Sequence, residues 1–538
     1  MWLGAGIGLS ANIKTGKRQA LTLRYAYDAS GRQQSMTYPD GSLVDYSYDA
    51  QGQVSGVGVT PIGGTREVLL QGVKMLPFGP VQSWAFGNGR HLERSYDLDY
   101  RPKTINDARD GLNVAFGFDP IGNITSLSDG GPQGQGATLD YDALGRLTAF
   151  KDAQTGVAIE QYTYDATGNR LSFGNSAGVQ AYVYPAGSHR LMSVDDVDRT
   201  YDAMGNTLTI GGEWRYAYDL AGRLGSATRA SSAQASYRHN AAGQRVLQQV
   251  GTDKVLHLHG EGGEWLGSYG VTGVPAQQVV WLGSRPVGLI QAGKVLYIES
   301  DHLGSPRAVV DPQRDVAVWR WSLLGEAFGS GMPAEDPDQD GIQQSFDLRF
   351  PGQRMDSASG LSYNYFRDYE AQTGRYSQSD PIGLIGGMST FVYVSASPAM
   401  AIDPLGLEPI WDTQTCGGHK GMVTCDGNGG FQVNVCNTGC DQICTVMHER
   451  DHKWLLEQRV PNACIGRPNG AAPYPKNWDP LGDDYRNLSN EMECRAYKVQ
   501  MTCVERLRAG GLGSSDADKA YKQAIDERRR RQCAQRGF

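Results

Sequence analysis

The chain has 538 residues and a formal net charge of −8. It is therefore too long for one ordinary domain, and its overall charge excludes a chain-wide nucleic-acid binder. Its 70 glycines are roughly twice the usual share, and 27 tyrosines against 13 phenylalanines fit a β-rich, turn-dense protein.

No apolar run approaches the ~20 residues needed to cross a bilayer, so no stable membrane span is expected. No export signal is visible: Met1-Trp2-Leu3-Gly4 leads into a glycine-rich, strand-like segment. That start is also compatible with a fragment whose own beginning lies upstream.

From about Arg24 to Gln248 one phrase recurs: aromatic, any residue, Tyr/Phe-Asp, two residues, Gly, then Arg, Asn or Gln. Copies include Tyr25-Ala26-Tyr27-Asp28-Ala29-Ser30-Gly31-Arg32, Tyr46-Ser47-Tyr48-Asp49, Phe118-Asp119, Tyr141-Asp142, Tyr162-Thr163-Tyr164-Asp165, Tyr201-Asp202 and Tyr216-Ala217-Tyr218-Asp219. Successive Asp residues are often 21 or 23 apart, a period that signals a repeat architecture. Tyr-x-Tyr places both rings on one face of a strand. Asp-x-x-Gly is a turn, because Asp bonds the backbone two residues on and Gly supplies φ > 0. Each repeat is thus a β-hairpin, unstable alone, and the hairpins stack edge to edge into one long sheet that must coil to bury its aromatic face.

All nine cysteines lie after residue 415: Cys416, Cys425, Cys436, Cys440, Cys444, Cys464, Cys494, Cys503 and Cys533. Such density suggests disulfides and an oxidising destination, and the odd count leaves one thiol over unless some bind metal or are simply buried. The composition thus changes abruptly after residue 415.

The repeat pattern resembles the YD repeats of Rhs proteins, of the related Tc toxin C components and of teneurins, over roughly residues 20–407. The later segment matches too: Asp301-His302-Leu303-Gly304-Ser305-Pro306, then Gly352-Gln353-Arg354, Arg367-Asp368-Tyr369, Asp380-Pro381-Ile382-Gly383-Leu384 and the closing Asp403-Pro404-Leu405-Gly406-Leu407. The resemblance implies a mainly β fold, a coiled YD-repeat shell or cocoon enclosing a C-terminal toxin. The expected domains are a YD-repeat shell over 1–300, a core-associated segment over 301–407 and a small, Cys-rich, zincin-like α+β domain over 408–538. It also implies self-cleavage between Leu407 and Glu408, with Arg367, Asp368 and Asp380 at the family's catalytic positions. Two carboxylates sharing a proton can act as acid and base on a peptide bond, and Arg367 could orient a carboxylate or the scissile carbonyl. Asp403 reads as part of the turn. The run Asp336-Pro337-Asp338-Gln339-Asp340-Gly341 spaces oxygens like a calcium loop, but Asp347 stands where an EF-hand has its closing Glu, so a solvated insertion is expected.

In the last domain Phe431–Val435 alternates like a strand. A helix is expected from Asp441 to about Arg459, stopped by Pro461, with Cys440, Cys444, His448 and His452 near one face. His448-Glu449-Arg450-Asp451-His452 is H-E-x-x-H: two imidazoles four apart can grip one Zn²⁺, and Glu449 can take the proton of a metal-bound water attacking a peptide carbonyl. Zinc needs a third ligand. A second helical stretch, Asn487–Gln500, offers Glu493, whose Glu493-x-x-Ala496 resembles a gluzincin signature, with Glu491 as the alternative; the two point about 200° apart on a helix. His419, in a glycine-rich loop, stays open as a ligand. Arg528–Arg531 closes a last helix from Asp516, read as a solvated basic helix end.

The leading reading is an Rhs effector of interbacterial competition carrying a zinc metallopeptidase toxin that acts on a peptide or protein substrate, with no nucleic-acid partner. The resemblance implies delivery into a target bacterial cell by a type VI spike, adaptor or chaperone, and a cognate immunity protein. The cysteines point to the periplasm. A nuclease cargo is the alternative, and a non-enzymatic, teneurin-like adhesion shell is a third reading.

Overall fold

A computed structural model of the chain describes residues 10–15, 17–77, 80–107, 109–129, 136–324, 326–407, 409–411, 421–425 and 431–435. The chain divides into two compact units, Met1–Asn240 with Gln244–Pro409, and Ile410–Phe538 with Ala241–Gly243. In the second unit Gly421–Cys425 and Phe431–Val435 pair as antiparallel strands, as the alternation of the latter predicts. The helices expected over 441–459, 487–500 and 516–531 lie outside the described residues. So do His419, His448, Glu449, His452, Glu491, Glu493 and Glu408.

The first unit opens with the hairpin Ser10–Thr15/Lys17–Thr22. From Arg24–Tyr27 to Val316–Arg320 the strands then form an antiparallel meander in which each pairs with its neighbours in sequence. The repeat phrase builds each hairpin. At Asp142, one carboxylate oxygen accepts the amides of Leu144 and Arg146 at 2.9 and 3.0 Å, and the other accepts Arg146 Nε at 2.6 Å. Gly145 takes φ +74°, the left-handed region that a Cβ disfavours. The register slips at the Tyr before each Asp, as between Asp140 and Tyr141 or Thr163 and Tyr164, a bulge that adds twist.

One repeat also locks onto the next. Tyr164 donates its hydroxyl to the Leu147 carbonyl at 2.8 Å, and the Arg146 guanidinium stands 5.0 Å over its ring. Tyr48 does the same with Gln33 O at 2.6 Å and Arg32 at 4.3 Å. The expected coiled sheet of stacked hairpins is therefore present, and the tips of Tyr48 and Tyr164 hydrogen-bond as well as pack.

Coiling brings strands far apart in sequence face to face. Tyr38 donates to Val279 O at 2.7 Å and Tyr46 to Trp281 O at 3.1 Å, while Phe86 stacks on Tyr297 at 4.4 Å. The space between these layers is filled by Met36, Val44, Val57, Leu69, Trp84 and Leu92 against Leu282, Val287, Ile290, Val295 and Val310. Each such side chain contributes about 1.5–3 kcal/mol of burial.

The other face of the late strands is covered by the segment after Arg320. Phe346, Phe350, Tyr369, Tyr376 and Tyr393 pack on Leu289, Ile298, Val309 and Trp319. Strands such as Trp265–Gly270 and Lys294–Ser300 are consequently buried on both faces.

Buried charges pin the layers. Arg90 is sealed from solvent beside Asp107, with Asp110 at 2.7 Å and Asp315 at 3.2 Å. Glu299 lies 3.8 Å from Arg90 and accepts the Leu112 amide at 2.6 Å. Burial, then the neighbouring Asp107, push the Glu299 carboxyl well above its usual range. Asp301 of the D-H-L-G-S-P run is a turn of the repeat kind in the core: it accepts the amides of Leu303 and Ser305 and Arg307 Nε. Burial raises its pKa, but Arg307 and its hydrogen bonds outweigh that and hold it below the usual carboxylate value. Among the described residues no helix is long and apolar enough to cross a membrane.

Candidate functional site

The segment that closes the first unit is a four-stranded antiparallel sheet: Arg354–Asp356, Leu361–Asn364, Arg367–Glu370 and Arg375–Tyr376. Arg367 and Asp368 are successive residues of one strand, so they face opposite sides. Both are buried, and each face has its own chemistry.

On the first face, the Arg367 guanidinium lies 3.6 Å over the Tyr376 ring. It pairs with Asp380 at 3.0 Å and Asp403 at 3.3 Å. Its Nε donates to the Gly406 carbonyl and Nη1 to Thr390 O at 3.2 Å. Asp403 accepts the Tyr376 hydroxyl at 2.7 Å with Oδ2 and the Leu407 amide at 2.9 Å with Oδ1. Asn364 Nδ2 donates to the Asp403 carbonyl at 2.9 Å, and Phe366 N donates to Leu405 O at 3.1 Å. The D-P-L-G-L turn is thus held by four groups from outside it, with Leu407 buried.

Two glycines define the space around Leu407. Gly406 has φ +67°, and a Cβ there would stand 2.5 Å from Asn364 O. A Cβ on Gly386 would stand 2.3 Å from Asp380 Oδ2 and 2.7 Å from the Leu407 carbonyl oxygen. Asp380 and the Leu407 carbonyl therefore flank one small space that only a missing side chain leaves open.

On the second face, Asp368 accepts Arg245 Nη2 at 2.6 Å and Gln378 Nε2 at 2.9 Å. Arg245 also pairs with Asp356 at 3.2 Å and lies over the rings of Tyr237 and Tyr363. Burial opposes its charge, but Asp368 and Asp356 more than offset that, so its pKa is raised.

The sequence-predicted set therefore divides. The structure brings Arg367, Asp380 and Leu407 together and places Asp368 across the strand, in a buried ion pair. Asp403 and Tyr376 join the Leu407 face without having been read as site residues; their signal was only membership of motifs that also spell turns and core. Arg245 was legible as an anomaly, because it occupies a repeat position held by Val54, Ile124, Leu147 and Leu224 in other copies.

The acidic run resolves differently. Carboxylate oxygens of Asp336, Asp338 and Asp340 converge within 4.8 Å of one another, and Arg314 Nη1 stands 2.7 Å from Asp338 and 2.5 Å from Asp340. A cation is already in place there, supplied by the protein.

Residues 90–259 match the Teneurin YD-shell family, and residues 27–66 match the RHS Repeat family. The chain is 26% identical over 502 residues to Toxin protein Tse5 of Pseudomonas aeruginosa, covering 72% of this chain and 36% of that protein. It is 24% identical over 454 residues to Double-stranded DNA deaminase toxin A of Burkholderia cenocepacia, covering 72% of this chain and 30% of the relative. The chain thus spans about a third of the length of these curated relatives. The crystal structure of TcdB2-TccC3 superposes with a TM-score of 0.59 at 19% identity, over 72% of this chain and 22% of that one, which shows a shared fold.

Proposed function

As an Rhs/YD-repeat protein with toxins among its relatives, the chain is, we propose, part of a packaged toxin of interbacterial competition that cuts itself after Leu407. The observation that carries this reading is Arg367, which touches Asp380, Asp403 and the Gly406 carbonyl one residue before the cut. In the proposed reaction the Asp380 carboxylate takes a proton from water as the water oxygen bonds to the Leu407 carbonyl carbon. The same group then returns the proton to the Glu408 nitrogen as the C–N bond breaks, leaving a carboxylate on Leu407 and an amine on Glu408. Arg367 keeps Asp380 oriented and Gly406 in place. Asp368 acts through Arg245, holding the strand that presents Arg367.

The test is mass spectrometry of the purified chain. A fragment beginning at Glu408 and running to Phe538 is expected from the native chain, and an uncut chain from Asp380→Asn. Cleavage elsewhere, or an uncut native chain, would remove the reading.

For the released domain we propose a zinc peptidase acting on a peptide or protein substrate. His448, His452 and Glu493, or Glu491 in its place, would hold the ion, which supplies Lewis-acid chemistry when bound. Glu449 would accept the proton of the attacking water. The nine cysteines favour action in the periplasm of the target cell. Partners would be a delivery apparatus of the type VI kind and an immunity protein in the producer. The second reading, a cargo acting on nucleic acid, is favoured by the relative whose name places double-stranded DNA as its substrate.

A further inference from the structure

We propose that the cleft around Arg170 is a binding site for one small anion of halide size. Arg170 follows Gly168-Asn169 of a repeat turn, the position taken by Val54, Ile124, Leu147 and Leu224 in other copies, so its side chain enters the core. Only 6% of the residue is exposed. The guanidinium stands 4.2 Å over Phe328 and 4.7 Å over Tyr162, and a Cβ on Gly374 would stand 2.2 Å from its Nη2.

What this cation lacks is a carboxylate in direct contact: Glu160 feels its charge but stands beyond ion-pair distance. Arg245, the other arginine at this repeat position, has Asp356 and Asp368. Among the described residues no carboxylate lies within ion-pair distance of Arg170, its Nε has no hydrogen-bond partner, and the neighbouring oxygens are the hydroxyls of Tyr164 and Tyr182. The nearby buried acids bond to other groups, although the neutral donors on one oxygen of Glu160 leave its charge in place. Glu160 accepts the Tyr162 hydroxyl at 2.5 Å and the Ala327 amide at 2.8 Å. Both oxygens of Glu370 are taken by Arg199, at 2.7 and 2.6 Å. Asp165, in the turn, has its oxygens filled by Thr167 and Asn169.

A second guanidinium, Arg375, lines the same cleft with Asn169 and Ser389. The buried groups here are thus three guanidiniums, Arg170, Arg199 and Arg375, against two carboxylates, Glu160 and Glu370. An uncompensated buried charge is strongly unfavourable, so one negative charge is called for. The enclosed part of the opening has room for about one water-sized body, which suits a monatomic anion better than phosphate or sulfate. A water there would give Arg170 an acceptor but leave the charge. The anion would bind the repeat hairpin at Asp165 to the turn Thr373–Arg375, whether or not the chain cuts itself.

Crystals of the full chain grown in bromide test this by anomalous scattering, alongside thermal unfolding of the native chain and Arg170→Met as chloride replaces gluconate at constant ionic strength. The expected results are a bromide peak in contact with the Arg170 guanidinium, and a midpoint that rises with chloride in the native chain by mass action but not in the variant. A cleft holding water alone in bromide, or an Arg170→Met midpoint that keeps the native chloride dependence, would overturn the proposal. Should Arg170→Met fail to fold, the bromide measurement decides, because it needs only the native chain.

Discussion

Arg245 and Asp368 meet at 2.6 Å with both side chains sealed from water, joining a repeat strand to the strand that carries Arg367. Removing one partner of a buried pair costs about 3–5 kcal/mol, because the other is left charged and unmatched. Asp368→Ala is therefore expected to lower the urea midpoint and to slow self-cleavage together, with Asp356 limiting the loss. Asp380→Asn is expected to stop self-cleavage with a smaller shift in stability, since Arg367 keeps Asp403. Urea denaturation and a cleavage time course on both variants check the contrast.

Gly386 offers a sharper probe of the Leu407 face. Its φ is not left-handed, so Gly386→Ala suits the backbone, but the methyl would occupy the space between Asp380 Oδ2 and the Leu407 carbonyl. Self-cleavage is expected to fall by about 100-fold or more, as displacement of reacting groups by ~1 Å does. The overpacking itself should cost about 1–3 kcal/mol. Gel-resolved cleavage rates and a melting curve separate the two effects.

The buried Glu299 predicts a pH effect with a definite sign. Its pKa in the fold is raised, by burial and then by Asp107, above the ordinary 4.5. The folded chain therefore holds a proton that the unfolded chain releases as pH rises past that value. Stability from this group is complete below pH 4.5 and declines as pH rises into the alkaline range. Glu299→Gln keeps an acceptor for the Leu112 amide and removes the ionisation. It is expected to match the native chain at pH 5 and to exceed it at about pH 9, measured by urea midpoints.

A single repeat turn has a measurable worth. Asp142→Ala removes the acceptor for two amides and one guanidinium nitrogen. A loss of about 1 kcal/mol is expected, because of the two freed amides Leu144 N is exposed and only Arg146 N is partly buried. Chemical denaturation of the variant checks it.

The cargo reading is tested on the fragment from Glu408. Glu449→Gln should retain zinc and lose peptidase activity, while His448→Ala should lose zinc, as read by metal analysis and a peptide-cleavage assay. Deamination or cutting of DNA by the same fragment, with intact peptides, would transfer the assignment to the nucleic-acid reading.

The repeat hairpins were legible in the sequence because everything that makes them is local. Asp, Gly and the two tyrosines of one phrase decide turn, bulge and inward face within about ten residues. The layer contacts were not legible, since Tyr38 and Val279 are 241 residues apart and neither carries a mark of the other. Alternation along a strand implies that Arg367 and Asp368 face apart, although as a motif they stand together with Asp380. Asp403 was hidden because a turn Asp and a carboxylate that holds Leu407 look alike in a string of letters.

The face-to-face packing of early on late strands has a consequence for how the chain is made. The strands around Tyr38 leave the ribosome long before Val279 exists, and at usual translation speeds the gap is roughly 10–50 s. Through that interval Met36, Val44, Val57 and Leu69 form an apolar sheet with nothing against it. Contacts this distant in sequence also close slowly. Synthesis of this protein therefore passes through a long-lived, sticky intermediate, so a holdase working on the nascent chain should raise its yield more than one added after release.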